Sequence, residues 1–134
     1  MVLEHMRRIC GRHCFVLGQA VLPEYEIGLD LRGYANIRPA AGEQVYGVLF
    51  EIDEEAMAAL DRFEGYPEVY NREFVAICDS RGQSLRAWVY IEPAEQFGGR
   101  SARQEYFNRV ISGAVENRLP EIWIAKIQQL AGSA

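Results

Sequence analysis

The chain has 134 residues, 49% hydrophobic and 25% charged, a balance that fits a soluble globular unit with one core and excludes a disordered or fibrous chain. Its net charge is −5 and its thirteen arginines are scattered rather than clustered, so no nucleic-acid partner is expected. No run approaches the roughly 20 apolar residues that span a bilayer, so no membrane partner is expected either. Residues 1–8 lack the apolar run of a signal peptide, and three cysteines make no disulfide framework, which favours a reducing, cytoplasmic setting.

Residues 1–12 read as a short helix with Leu3, Met6 and Ile9 or Cys10 on one side. His5, Cys10, His13 and Cys14 are all soft or borderline metal ligands, but their spacing matches no zinc pattern. No metal and no cofactor is therefore expected. From residue 15 the texture changes to short strand-like runs at 15–22, 25–31, 34–37, 45–52, 69–78 and 85–91. Pro23, Gly33, the 39–42 stretch and Ser80-Arg81-Gly82 punctuate them. The last two runs, joined by a short loop containing Gly82, read as a hairpin.

One helix interrupts the strands. Asp53 can cap it, and Glu54 and Glu55 place negative charge at its positive end. Ala56, Met57, Leu60 and Phe63 recur at helical spacing, and Glu64 falls on the same stripe, seven and four residues beyond Met57 and Leu60. Gly65 reads as the helix stop, so Glu64 also lies at the negative end of the dipole. Burial and that dipole both oppose ionisation, which suits a general acid/base. The plain alternative is an early helix end with Glu64 in water. Asp61 reads as a solvated helix residue and Glu68 as a turn residue before the next strand.

The last third returns to helix. Ser101 and Gln104 have the spacing of a capping box, and Tyr106, Phe107, Val110, Ile111, Ala114 and Val115 form a broad apolar face. Pro120 fits the first turn of a closing helix that buries Trp123, Ile124, Ile127 and Leu130. The expected class is α+β: a small, mixed, barrel-like sheet with flanking helices, in a single domain over residues 1–134.

Val45-Tyr46-Gly47-Val48-Leu49-Phe50, Leu60-Asp61-Arg62-Phe63-Glu64-Gly65-Tyr66-Pro67 and Tyr70-Asn71-Arg72 together resemble the γ-glutamylcyclotransferase-like family. The run from Ala35 to Gly42 is similar to the loop before that family's central strand, and the run from Ser112 to Pro120 to its closing segment. The resemblance implies a small barrel enclosing a cavity for a γ-glutamyl group, with Glu64 as catalytic acid/base and Tyr70 and Tyr106 as substrate contacts. It also implies the reaction, placed among transferases or lyases: cyclisation of a small-molecule γ-glutamyl amine or peptide to 5-oxoproline with release of the amine.

The family's Tyr-Gly-Ser-Asn loop, whose backbone amides hold the substrate, is absent, and residues 1–10 resemble the segment immediately downstream of that loop. Three accounts stay open. The start is internal to a longer protein, which is the favoured account; or the chain is an inactive binding module that keeps the cavity for an amino-acid-like ligand; or Gly98-Gly99-Arg100 supplies replacement donors. Loss of a first strand would expose a sheet edge, so self-association into a homo-oligomer is a further expectation.

Overall fold

The computed structural model describes Met6, Arg8, Ile9 and residues 11–132. Among these residues four strands, β1 (Cys14–Leu29), β2 (Ala35–Ile52), β3 (Asn71–Asp79) and β4 (Ser84–Ile91), form one sheet in the order β2-β1-β3-β4. Helices α1 (Glu54–Glu64), α2 (Gln104–Glu116) and α3 (Glu121–Leu130) accompany it. The class is α+β, as expected. The sheet itself is entirely antiparallel and is not closed into a barrel: β2 and β4, at its two ends, do not pair with each other among the described residues.

The first four expected strand runs merge into two long strands. Pro23 and the 39–42 stretch do not end them; they make a bulge. Pro23 pairs with Gln44 and Tyr25 with Pro39, so the intervening residues of β2 loop out. Glu24 takes a positive φ of 65° there, and its carboxylate accepts the Gly42 N–H at 2.8 Å. Residues typical of turns therefore kink a continuous ladder instead of breaking it.

Met6 packs with Ala56 and Leu60 of α1, supported by Ile9. Leu3 and Cys10 of the expected N-terminal helix lie outside the described residues. Ala114, Leu119, Trp123 and Ile127 form a second cluster against Val45 and Tyr46 of β2. Phe107 and Ile127 are fully buried, each contributing about 2 kcal/mol through apolar burial. The capping box is not made. α2 begins at Gln104 without a side-chain cap, and the Gln104 amide instead donates to the Ala131 carbonyl at 2.6 Å. That bond ties the start of α2 to the end of α3. Cys14 is disulfide-bonded, which the cysteine count did not suggest, whereas Cys78 is free.

α1 has both of its expected ends. Asp53 Oδ1 accepts the Ala56 N–H at 2.8 Å, and Glu54 and Glu55 occupy the first turn. Gly65, at φ 70°, closes the helix in a Schellman arrangement: its N–H donates to Arg62 O at 3.3 Å and Tyr66 N–H to Asp61 O at 2.9 Å. Ala56 and Leu60 are buried, but Phe63 is 46% exposed, so the buried stripe runs through Met57, Leu60 and Glu64 and leaves Phe63 to one side.

Asp61 is not solvated. Its carboxylate takes two 3.0 Å bonds from Arg72 Nη1 and a 2.6 Å bond from the Tyr90 hydroxyl. Arg72 in turn lies over the rings of Tyr66 and Trp88, at 4.7 and 5.0 Å. The last turn of α1 is thereby tied to β3 and β4.

Substitutions at this turn should register in stability. Gly65→Ala places a Cβ 3.0 Å from Val69 Cγ2 in a left-handed conformation. It should cost about 1–2 kcal/mol in urea unfolding, and an unchanged midpoint would contradict the assignment. Asp61→Asn, which leaves Arg72 without its charged partner, should cost about 2 kcal/mol by the same measurement.

Candidate functional site

Glu64 is the last residue of α1, and the stripe that carries it inward is the one that buries Leu60. Its carboxyl is half-buried, and burial pushes its pKa above the ordinary value of 4.5, against the opposing charge of Arg32. Tyr70 immediately precedes β3, and Tyr106 lies in the first turns of α2. Both are half-buried. Burial raises the Tyr70 phenol well above its usual range, helped by the charges of Glu92, Glu64 and Asp30. Burial likewise pushes Tyr106 up to about 12, with the Glu64 and Asp30 charges adding and a backbone hydrogen bond at Ala35 opposing. Both phenols are therefore neutral near pH 7, and both feel the charge of Glu64. The three residues singled out from the sequence come from three separate segments, and the charge of Glu64 acts on both phenols.

A polar cluster that periodicity did not reveal adjoins them. Asp30, Asn36 and Glu92 are 0%, 4% and 3% exposed, unusual for such residues. Asp30 organises the β1–β2 connection: Oδ1 accepts the Arg32 and Tyr34 N–H groups at 2.8 and 2.9 Å. Arg32 Nη2 bridges Asp30 Oδ2, at 3.2 Å, and Glu92 Oε1. Glu92 N–H donates to Asn36 Oδ1 at 3.0 Å, stitching the end of β4 to the start of β2. Asn36 Nδ2 is buried without an acceptor, and Glu92 Oε2 is buried without an N–H or O–H donor. Burial raises the Glu92 carboxyl, as does the neighbouring Asp30, while Arg32 works the other way. The Tyr34 ring meets Tyr106 edge-on at 5.0 Å and lies 5.1 Å from the Arg32 guanidinium carbon.

Other candidates fall away from this place. Glu68 is exposed. Gly98 and Gly99 donate their N–H groups to Leu29 O at 2.9 and 3.0 Å, so these amides are not open donors for a substrate. A Cβ at Gly99 would sit 1.8 Å from Asp30 O, which shows how tightly this segment packs on the β1–β2 connection. Of the N-terminal metal candidates, His5 and Cys10 lie outside the described residues. Cys14 is disulfide-bonded, and His13 Nδ1 pairs with Asp53 Oδ2 at 2.6 Å. Asp30 and Glu92 carry one sign legible in sequence, a carboxylate closing an apolar strand run, but their pairing across 62 positions comes from topology alone.

An acid/base carboxyl, two neutral phenols and a guanidinium braced by carboxylates can move a proton and hold a polar, charged small molecule. The comparisons with known proteins agree with a small-molecule site. A family described as gamma-glutamyl cyclotransferase, AIG2-like, matches residues 2–109. Gamma-glutamylaminecyclotransferase A of Danio rerio is 37% identical over 54 residues, 39% of this chain and 34% of that protein. MJ1514 of Methanocaldococcus jannaschii, which carries a provisional gamma-glutamylcyclotransferase name, is 34% identical over 65 residues, 45% of this chain and 54% of that protein. The matched part thus spans about half or less of these curated relatives. A solved structure named gamma-glutamyl cyclotransferase superposes with a TM-score of 0.84 at 18% identity, covering 95% of this chain and 80% of that one. YkqA of Bacillus subtilis superposes at 0.78 and 22% identity, covering 88% and 45%. At these identities the structures speak for the fold, while the match over most of the sequence settles membership: the chain belongs to the gamma-glutamyl cyclotransferase, AIG2-like family.

Proposed function

We propose that residues 1–134 form a γ-glutamyl cyclotransferase unit acting on a γ-glutamyl amine or peptide, with Glu64 as the proton shuttle. The observation that carries this reading is the place of Glu64: half-buried on the inward stripe of α1, its carboxyl raised by burial and its charge felt by Tyr70 and Tyr106. Family membership and the name of the Danio rerio relative support the reaction class.

The chemistry needs little more than a base in the right place. The substrate's α-amino nitrogen and its side-chain carbonyl belong to one molecule, so attack closes a five-membered ring without a second reactant. Near pH 7 that amine is an ammonium ion. The Glu64 carboxylate takes one of its protons, the freed nitrogen attacks the carbonyl carbon and sheds a second proton as it becomes the lactam N–H, and the C–N bond to the departing amine breaks as Glu64 delivers a proton to it, so that the amine leaves as the ammonium ion. The products are 5-oxoproline and a free amine. Tyr70 and Tyr106, held neutral, can donate to the carbonyl oxygen while charge develops there. No helix among the described residues is long and apolar enough to cross a membrane.

Glu64→Gln keeps the shape and removes the proton transfer. It should lower 5-oxoproline release from γ-glutamyl substrates by about 10²–10⁴-fold with the thermal midpoint retained. Unaltered turnover would remove Glu64 from this role, and absence of turnover in the unmodified chain, with 5-oxoproline still bound, would favour the binding-module reading. Because Glu64 must be ionised to act as base and its pKa lies above 4.5, kcat/KM should climb with pH and reach its plateau only above that value. An acid limb at or below 4.5 would contradict the burial argument.

A further inference from the structure

Arg32 is built as a ligand-facing cation rather than a surface one. Its Nη2 is fixed by Asp30 and Glu92, both buried, while the side chain as a whole remains 46% exposed. Among the described residues, no partner bonds Nη1 or Nε. The backbone around it is fixed as well: its N–H donates to Asp30 Oδ1, and its carbonyl accepts Arg103 Nε at 2.9 Å. Tyr34 supports the guanidinium face and touches Tyr106, so Arg32 adjoins the wall of the site through one ring. Rotamer freedom is therefore already lost before any ligand arrives, and two donor nitrogens of the fork are left over.

We propose that Arg32 is the anchor for the α-carboxylate of the γ-glutamyl substrate, bound through the guanidinium donors that its two buried carboxylates leave unused. The proposal rests on the cyclotransferase reading and adds to it the part of the substrate that is recognised. A planar fork of N–H donors matches a carboxylate in two-pronged fashion. The α-carboxylate and the α-amine share one carbon, so a carboxylate seated on Arg32 carries the amine toward Glu64, whose carboxyl already feels the Arg32 charge. The departing amine makes no demand on this cluster, so the anchor reads the glutamyl half whatever group is released.

The test is binding of 5-oxoproline and of 2-pyrrolidinone, the same ring without the carboxylate, measured by calorimetry on the unmodified chain, Arg32→Gln and Arg32→Lys. Arg32→Gln should weaken 5-oxoproline binding by about 10- to 100-fold and leave 2-pyrrolidinone unchanged. Arg32→Lys, which keeps the charge and its hold on Asp30, should fall between, and it carries the test if the Gln variant does not fold. Equal 5-oxoproline binding with and without Arg32 overturns the anchor and leaves the cyclotransferase reading standing. Equal loss of both rings makes Arg32 a structural residue, and no 5-oxoproline binding by the unmodified chain overturns both.

Discussion

The candidate site depends on the ion pair between Asp61 and Arg72. A helix terminus is the least constrained part of a helix, since its final carbonyls lack intrahelical partners. Here the Gly65 turn satisfies two of those carbonyls, and Asp61, one turn before Glu64, is bonded to Arg72 on β3 and Tyr90 on β4. Arg72 is itself held against the rings of Tyr66 and Trp88. The position of Glu64 is thus fixed by a charged contact that lies outside the proposed chemistry, and the pair spans the step from packing to function.

The Asp30–Arg32–Glu92 group contributes little to stability for the charge it buries. Buried ion pairs stabilise little compared with apolar side chains of the same volume, because desolvation offsets the attraction. Asn36 Nδ2 and Glu92 Oε2 add two buried atoms that lack protein donors or acceptors. The apolar clusters around Trp123, Ile127 and Phe107 supply the stability that offsets such a group. Its contribution is orientation: it fixes a cation beside a carboxyl whose proton affinity burial has raised.

The helix carrying Glu64 was legible because capping chemistry and a 3.6-residue stripe are local signals. Asp53, Leu60 and Gly65 could each be placed from their neighbours alone. The same periodicity would put Phe63 inward, since a stripe of that width does not say where the buried face stops. Strand boundaries were less legible. Pro23 and Gly42 look like turn residues whether they end a strand or bulge it, and the distinction lies in the partner strand. Asp61 could not be separated from an ordinary solvated helix residue, because Arg72 and Tyr90 reach it only through the tertiary fold. The expected barrel gave way to an open antiparallel sheet, as pairing order is not encoded in any single strand.

Between β1 and β3 the ladder is short: Ala20 pairs with Asp79 and Val21 with Cys78. The sheet is therefore two long hairpins joined by a narrow seam. Toward the other end, side chains take part in every crossing: Tyr25 to Glu73, Arg32 to Glu92, and the backbone N–H of Glu92 to the Asn36 amide oxygen. Two of these three crossings join protonatable side chains, so a change in their charge bears on how the hairpins are held together at that end.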